Sequence, residues 1–508
     1  MTERTGRRVR LHELLGGVDV EELSGDPHVE VTTIVPDSRE AVEGACFACI
    51  PGAVTDGHAH APEAVAAGAV ALLVERPLPL AVSQARVPSV RRALGPVAAR
   101  FHGHPSRALR CLGVTGTNGK TTTTYVLESI GRAAGDPVGL IGTIGARIAG
   151  AAVPEERTTP EATELQALLA RMRDAGVRTV AMEVSSHALH QHRIDGTWFA
   201  AVCFTNLSHE HLDYHRTLHA YFEAKAMLFD PTRAGAGVVN ADDIHGVALA
   251  RRARAAGLPT TTFGVLDSSA DVPTDVTAEV VADELDLDPR GSRFVLVDRR
   301  DAVSRRARVA SPLVGRFNVD NVLAAAAVAL AGGVPFDAVV AGIEAPLVVP
   351  GRFETVDGGQ PFTVLVDYAH TPDALARVLD AARPVARGRL LVVFGCGGDR
   401  DRDKRPLMGR VAGQRADLAV LTSDNPRSED PEAIAAAVTP GLREGAATPV
   451  VELDRRAAIR YALSEARPGD VVVIAGKGHE TGQTAGGVTT PFDDRVVARE
   501  ELEALGCA

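Results

Sequence analysis

The stretch CLGVTGTNGKTTTT, residues 111–124, decides the fold. A short apolar run ends in a glycine-rich turn, and Lys120 and four threonines follow. This is the order of parts in a phosphate cradle. A buried strand stops, the backbone turns tightly, and a helix begins with its N–H groups facing the ligand. Gly116 and Gly119 let the amides of the turn, with Thr117 and Asn118 between them, approach anionic oxygens. Lys120 supplies a point charge, and Thr121, followed by Thr122, a hydroxyl for a magnesium ion. The strict spacing G-x-x-x-x-G-K-[ST] is not met, because its first glycine would fall on Val114. A bend that bound nothing would have no use for the Lys-Thr pair.

Around the cradle, strands and helices alternate. RCLGVTG feeds the loop, VRTVAMEV (177–184) is a strand ending in Glu183, and AAVCFTNL (200–207) and AGVVNADD (236–243) are two more. Such alternation predicts a mostly parallel sheet with helices on both faces. The segment 271–310, with RFVLVDRR, predicts an antiparallel patch. SPLVGRFNVDNVLAAAAVAL then enters a long alanine-rich helix. Upstream, VEVTTIV (29–35) and AVALLV (69–74) predict strands of a small α/β unit, and HGHPSRAL (102–109) a linker. After APLVVPGRFE (345–354) the pattern resets. TVLVDYAH, RLLVVFGC, DLAVLTS and DVVVIAG are four strands, each ending at a polar motif. Ligands gather at the carboxyl ends of parallel strands. That puts Asp367–His370, Arg400, Asp424–Arg427 and Lys477–Glu480 on one rim.

The expected fold is therefore α/β in three domains. Residues 1–107 form a small unit, 108–346 a central phosphate-loop sheet, and 347–508 a Rossmann-like sheet. A chain of 508 residues is too long for one core. Net charge is −11 without an acidic tail, which argues against a nucleic-acid binder. The longest apolar stretch, VLAAAAVALAGGV (322–334), is too short and glycine-broken to span a membrane. No apolar region follows the basic start, so no secretory signal is expected. The six cysteines are scattered. Cys46 and Cys49 sit in the alternating run ACFACIPG, which a buried strand explains better than a redox or zinc pair. A reducing cytoplasm follows. The histidines at 187, 190, 192, 209, 211, 215 and 219 contain no H-E-x-x-H, which argues against a zinc hydrolase.

Read as residues alone, Lys225 is by default a solvated helix lysine and His211 a core or surface histidine. DNPR (424–427) could be a turn built from Asp, Asn and Pro. The motifs together change these readings. GTNGKTT, TTPEATELQ (158–166), MEVSSHAL (182–189), FTNLSHEHLDYH (204–215), FEAKAMLF (222–229), GRFE (351–354), VDYAHTPDAL (366–375), FGCGGDRDRDKRPLMG (394–409), SDNPR (423–427) and GKGHET (476–481) occur in this order, with DSRE (37–40) before them. The set resembles the Mur ligase family, ATP-dependent amide-forming enzymes of peptidoglycan synthesis, and within it the branch that adds the third stem-peptide residue.

The resemblance implies an acyl-phosphate ligase joining diaminopimelate to UDP-MurNAc-L-Ala-D-Glu, with ATP and Mg2+. It implies that Asn321, Arg352, Asp367 and His370 join the cradle at the nucleotide. Thr121, Glu183 and His211 would serve magnesium, beside Lys225 carbamylated by carbon dioxide. Ser38, Thr158, Thr159, Ser185, Gln191 and Arg193 match positions that hold the UDP-MurNAc-dipeptide. Arg400, Asp424, Asn425, Pro426, Arg427, Gly476 and Glu480 match the site of the incoming amino acid. There Arg can grip the far carboxylate of diaminopimelate, while Asp and Glu receive its ammonium. His209-Glu210 departs from the Arg-Asp usual in the family, and Glu can keep the acidic role. The expected partners are small molecules only, with no nucleic acid or membrane, and the chain is expected to be a monomer. Three alternatives stand beside this reading: a Mur-type ligase of a specialised pathway, a folylpolyglutamate-synthetase-like ligase, and a regulatory nucleotide binder without catalysis. The last would predict loss of Lys120, Glu183 or Lys225, and all three are present.

Overall fold

A computed structural model describes residues 7–52, 55–155, 157–266, 276–288 and 291–506. Cys507 lies outside these residues, as does part of the 271–310 patch. The described residues build three larger sheets. In the first, strands Thr33–Val35, Ala45–Ala48, Ala71–Val74 and Ser83–Arg86 run parallel, with Glu22–Ser24 antiparallel at the edge. The apolar run 29–35 is not one strand. Glu30–Val31 pairs with Val9–Arg10 in a separate ribbon, and Thr33–Val35 joins the larger sheet. The break falls at Thr32, whose N–H and hydroxyl are taken by the carbonyls of Gly44 and Glu43. Cys46 and Cys49 are buried there, and burial pushes both thiols up to about 12.

Among the described residues the central sheet has eleven strands. Seven run parallel, the first six in the order Val138–Gly142, Thr179–Glu183, Arg110–Thr115, Ala201–Phe204, Gly237–Asn240 and Thr260–Val265. Val280–Asp288 extends this run in parallel. Gly291–Asp298 and Arg305–Ser311 then close the edge in antiparallel pairing. The strand Arg110–Thr115 sits between two strands that come later in the chain. The loop after it therefore opens into a crevice where chain order reverses, as ligand sites in such sheets do. Behind it pack the helices Lys120–Ala133, Arg316–Ala331 and Phe336–Glu344. Ala324–Ala327 are all fully buried. Small side chains let this helix lie close to its neighbours on every side, as an all-round apolar helix must.

The third sheet orders Glu354–Thr355, Thr363–Asp367, Val471–Ala475, Leu390–Phe394, Leu418–Leu421 and Thr448–Val451, all parallel but the first. The four expected strands are present. The fifth parallel one, Thr448–Val451, is an exposed edge strand carrying Pro449, a place where proline is tolerated and where the apolar signal is weak. Arg455 and Asp494 form a fully buried bidentate pair (2.8 and 2.6 Å) that ties the last helix, Asp494–Ala504, to this sheet. Arg455 also donates to the carbonyls of Ser423 and Ala475 at the strand ends. Removing one partner leaves a buried charge unpaired. Asp494→Ala is therefore expected to lower unfolding free energy by about 3–5 kcal/mol, read from denaturant midpoints. A midpoint equal to wild type would show that the pair contributes nothing.

Candidate active site

The strand Arg110–Thr115 is fixed on both sides by parallel partners, so its end is held rigidly. Gly116 (φ 148°) and Gly119 (φ 88°) then turn the chain through conformations that L side chains avoid. A Cβ would collide with the Thr205 hydroxyl at Gly116 and with the Asn321 amide at Gly119. The following helix begins at Lys120 with no side chain capping it. Its free N–H groups and positive dipole end face a cavity of about 670 Å³, a size suited to a small-molecule ligand.

Lys120 Nζ donates to the carbonyls of Gly116 and Thr117, both at 2.9 Å. Burial lowers its pKa, and the carboxylates of Glu210 and Glu183 work against that shift. Glu183, 1% exposed, ends its strand with both oxygens bonded to Thr143, to the backbone N–H at 2.9 Å and the hydroxyl at 3.0 Å. The remaining lone pairs of Glu183 face the cavity with the Thr121 hydroxyl, to which Arg352 donates at 3.3 Å. Such hard oxygens are the ligands magnesium prefers.

Lys225 is not a solvated lysine. It is 1% exposed, donates to Gly116 O at 2.8 Å and lies over the Tyr221 ring at 4.3 Å. Burial lowers its pKa well below the ordinary lysine value, neighbouring Lys120 adds to that, and Glu210 opposes it. A depressed pKa favours the neutral amine, the form that reacts with carbon dioxide, and Lys120 places a cation nearby. His211 holds a left-handed backbone (φ 56°), and its ring meets His187 edge-on at 4.8 Å. Glu210, at the position of the family departure, also faces the cavity. Burial acts to raise its pKa, yet His211 and Lys120 outweigh this and it is lowered, so it stays anionic. Among the described residues, no three His, Cys, Asp or Glu side chains converge in a set able to hold a metal by themselves.

The cavity gathers nearly all the expected nucleotide residues, from Thr117 to Thr122 with Asn321, Arg352, Asp367 and His370. Asp367 has both oxygens taken by backbone N–H groups, Phe353 (2.7 Å) and Ala369 (2.8 Å). Burial raises its pKa to about 6, against the pull of Arg352. It brackets the GRFE loop onto the third sheet. Thr158, Thr159, Ser185 and Arg193 line the same cavity. Gln191 stands outside the wall and accepts from Arg193. Ser38 is on the first unit, 3.4 Å from Glu63 and away from this cavity.

The amino-acid set forms a second cluster on the rim of the third sheet, outside the cavity lining. Asn425 Nδ2 donates to Glu480 (2.9 Å), and Asn425 Oδ1 accepts from fully buried Lys477 (3.0 Å) and from the N–H of Thr484 (3.0 Å). Asp424 Oδ1 is buried and makes no hydrogen bond. Arg427 has φ 55° and is held there by the hairpin Gly482–Ala485/Val488–Pro491, through Thr484 O and Gly486 N–H. Its guanidinium donates to Gly398 O at 2.6 Å. A strained residue gripped on both sides is a mark of functional sites. Arg400 is exposed, and a Cβ on Gly397 would run into the Arg427 guanidinium and touch the Arg400 side chain. The two clusters meet where Tyr368, in the cavity wall, packs on His479 at 5.0 Å. Sequence reasoning missed Thr143 and Tyr221 as site residues and left Lys477 unassigned. Thr143 and Tyr221 stand in no phosphate or metal motif.

Comparison with known proteins places the geometry. Residues 114–329 match the Mur ligase middle domain, 351–478 the Mur ligase glutamate ligase domain, and 30–102 the Mur ligase family catalytic domain. The chain is similar to the UDP-N-acetylmuramoyl-L-alanyl-D-glutamate–2,6-diaminopimelate ligases of Geobacillus thermodenitrificans and Streptomyces avermitilis. Identity to the first is 45%, over 94% of this chain and 96% of that one. To the second it is 46%, over 93% of each. A solved structure of a ligase with the same name superposes with a TM-score of 0.71 at 34% identity, covering 98% and 100% of the two chains. The folylpolyglutamate synthase of Mycobacterium tuberculosis shares the fold at a TM-score of 0.60, with 19% identity over 80% and 93%.

Proposed function

This chain belongs to the Mur ligase family, and from that membership we infer that it is an ATP-dependent ligase joining 2,6-diaminopimelate to UDP-MurNAc-L-Ala-D-Glu in peptidoglycan precursor synthesis. The observation that carries this reading is identity over nearly the whole length with ligases named for that reaction. The free carboxylate of the D-Glu residue attacks the γ-phosphorus of ATP, and ADP leaves. The amine of diaminopimelate then attacks the acyl phosphate, an amide forms, and inorganic phosphate departs. Lys120 and the cradle amides stabilise charge on the transferring group. Thr121, Glu183 and His211, with a carbamate on Lys225, would hold Mg2+, which supplies further neutralisation of the phosphate oxygens. Asn321, Arg352 and His370 would surround the nucleotide. Thr158, Thr159, Ser185, Gln191 and Arg193 would hold the dipeptide end of the sugar nucleotide, and Ser38 its uridine end.

We read residues 1–107, 108–346 and 347–508 as units for the sugar nucleotide, ATP and amino acid respectively, working as a monomer in the cytoplasm. No described helix is long and apolar enough to cross a membrane.

Specificity for the amine follows from the second cluster. Arg427 and Arg400 would grip the far carboxylate, and Asp424, whose Oδ1 makes no hydrogen bond and has Lys477 Nζ 3.9 Å away, would take the ammonium with Glu480. A lost charge-assisted bond that leaves a buried charge unpaired costs about 2–5 kcal/mol. Arg427→Ala should therefore lower kcat/KM for diaminopimelate by roughly thirtyfold to a few thousandfold, and for L-lysine far less, because lysine lacks the carboxylate. An equal loss for both amines would mean that Arg427 shapes the fold and does not read the substrate.

A further inference from the structure

The cradle is held from across the cleft by a carboxylate of the third unit. Asp373 stands in the first turn of the helix Pro372–Ala382, whose start is fixed by Thr371 capping Ala374 N–H at 3.3 Å. Its Oδ2 accepts from Asn118 Nδ2 of the phosphate loop (3.2 Å) and from the Ser208 hydroxyl (2.8 Å). Arg377, one turn on, orients the same oxygen from its own helix at 3.1 Å.

The two donors belong to loops already stitched together. Thr117 N–H bonds Asn206 O (2.9 Å), Asn118 N–H bonds Asn206 Oδ1 (3.0 Å), and Ser208 N–H bonds Thr117 Oγ1 (3.0 Å). One oxygen of Asp373 thus grips the ends of two central strands at once. The neighbouring bond from Arg352 to Thr121 spans the same cleft.

We propose that Asp373 is a closure latch, a positioning residue that docks the amino-acid unit on the phosphate cradle. This rests on the functional reading above. In that reading the amine is bound on the third sheet and must reach an acyl phosphate formed at the central one, so productive ligation requires the two units closed. Both of the cross-cleft bonds that Asp373 makes end on a single oxygen. An amide oxygen can replace it, whereas a methyl group cannot.

The test uses the full-length protein. Small-angle scattering is recorded without ligand and with a non-hydrolysable ATP analogue plus magnesium, and steady-state ligation and analogue affinity are measured beside it. Asp373→Ala is expected to lower kcat on the order of tenfold and to enlarge the radius of gyration. Analogue affinity and thermal midpoint should stay near wild type. Asp373→Asn, which keeps the acceptor and loses only the charge toward Arg377, should restore both readouts. Ser208→Ala, which leaves the helix untouched, should fall between them, and it decides the matter if Asp373→Ala does not fold.

Wild-type kcat and dimensions in both Ala variants would overturn the latch. So would Asp373→Asn behaving like Asp373→Ala, or an effect confined to analogue affinity. Failure of the wild type itself to ligate would instead overturn the functional reading, and scattering would still report on the latch.

Discussion

Lys120→Ala is expected to lower ligation turnover on the order of a thousandfold or more while the protein stays folded. The side chain hydrogen-bonds only carbonyls of its own loop, those of Gly116 and Thr117, and Glu210, which loses the Lys120 cation, keeps His211 beside it. The fold around it is held by other contacts, namely the strand pairing of Arg110–Thr115 and the Asn206 bonds to the loop. What is lost is a cation at the point where charge accumulates during phosphoryl transfer. Because the cradle amides and Thr121 remain, substrate binding should weaken far less than turnover. Stopped-flow or coupled ADP assays separate the two. Unchanged turnover would mean that the chemistry occurs elsewhere.

Lys225→Ala should abolish ligation nearly as completely. The wild-type amine is buried, with its pKa depressed, between Gly116 O and the Tyr221 ring. If it acts as a carbamate, wild type stripped of carbon dioxide should lose activity and regain it with bicarbonate. Added acetate should partly restore Lys225→Ala by supplying a carboxylate to the space vacated. An Ala variant with wild-type turnover would remove Lys225 from the mechanism. Wild-type activity indifferent to carbon dioxide would remove the carbamate alone.

Much of this was readable from the chain because phosphate binding leaves local marks. A strand, a glycine turn and Lys-Thr must be contiguous, so CLGVTGTNGKTTTT carries its fold and its chemistry in fourteen residues. The rim of the third sheet was legible for the same reason, since each apolar strand ends directly at its polar motif. The supports of the site were not. Thr143 holds Glu183 from 40 residues away, and Asp373 reaches Asn118 across 255, with no spacing rule to connect them. Lys225 misleads in isolation, because an isolated A-K-x-x-L-F says nothing about what covers the helix. The strand Thr448–Val451 escaped because an exposed edge needs no alternating apolar pattern. The break of 29–35 escaped because Thr32 is a good strand residue whose hydrogen bonds go to another segment.

The most direct test of the account is a single assay of the purified protein with ATP, magnesium, UDP-MurNAc-L-Ala-D-Glu and, in separate reactions, meso-diaminopimelate, LL-diaminopimelate and L-lysine. Nucleotide and peptide products are quantified together. The account predicts that a diaminopimelate is incorporated in strong preference to lysine, with one ADP and one phosphate released for each UDP-MurNAc-tripeptide formed. Formation of AMP and pyrophosphate, preference for lysine, or no peptide product with any of the three would contradict it.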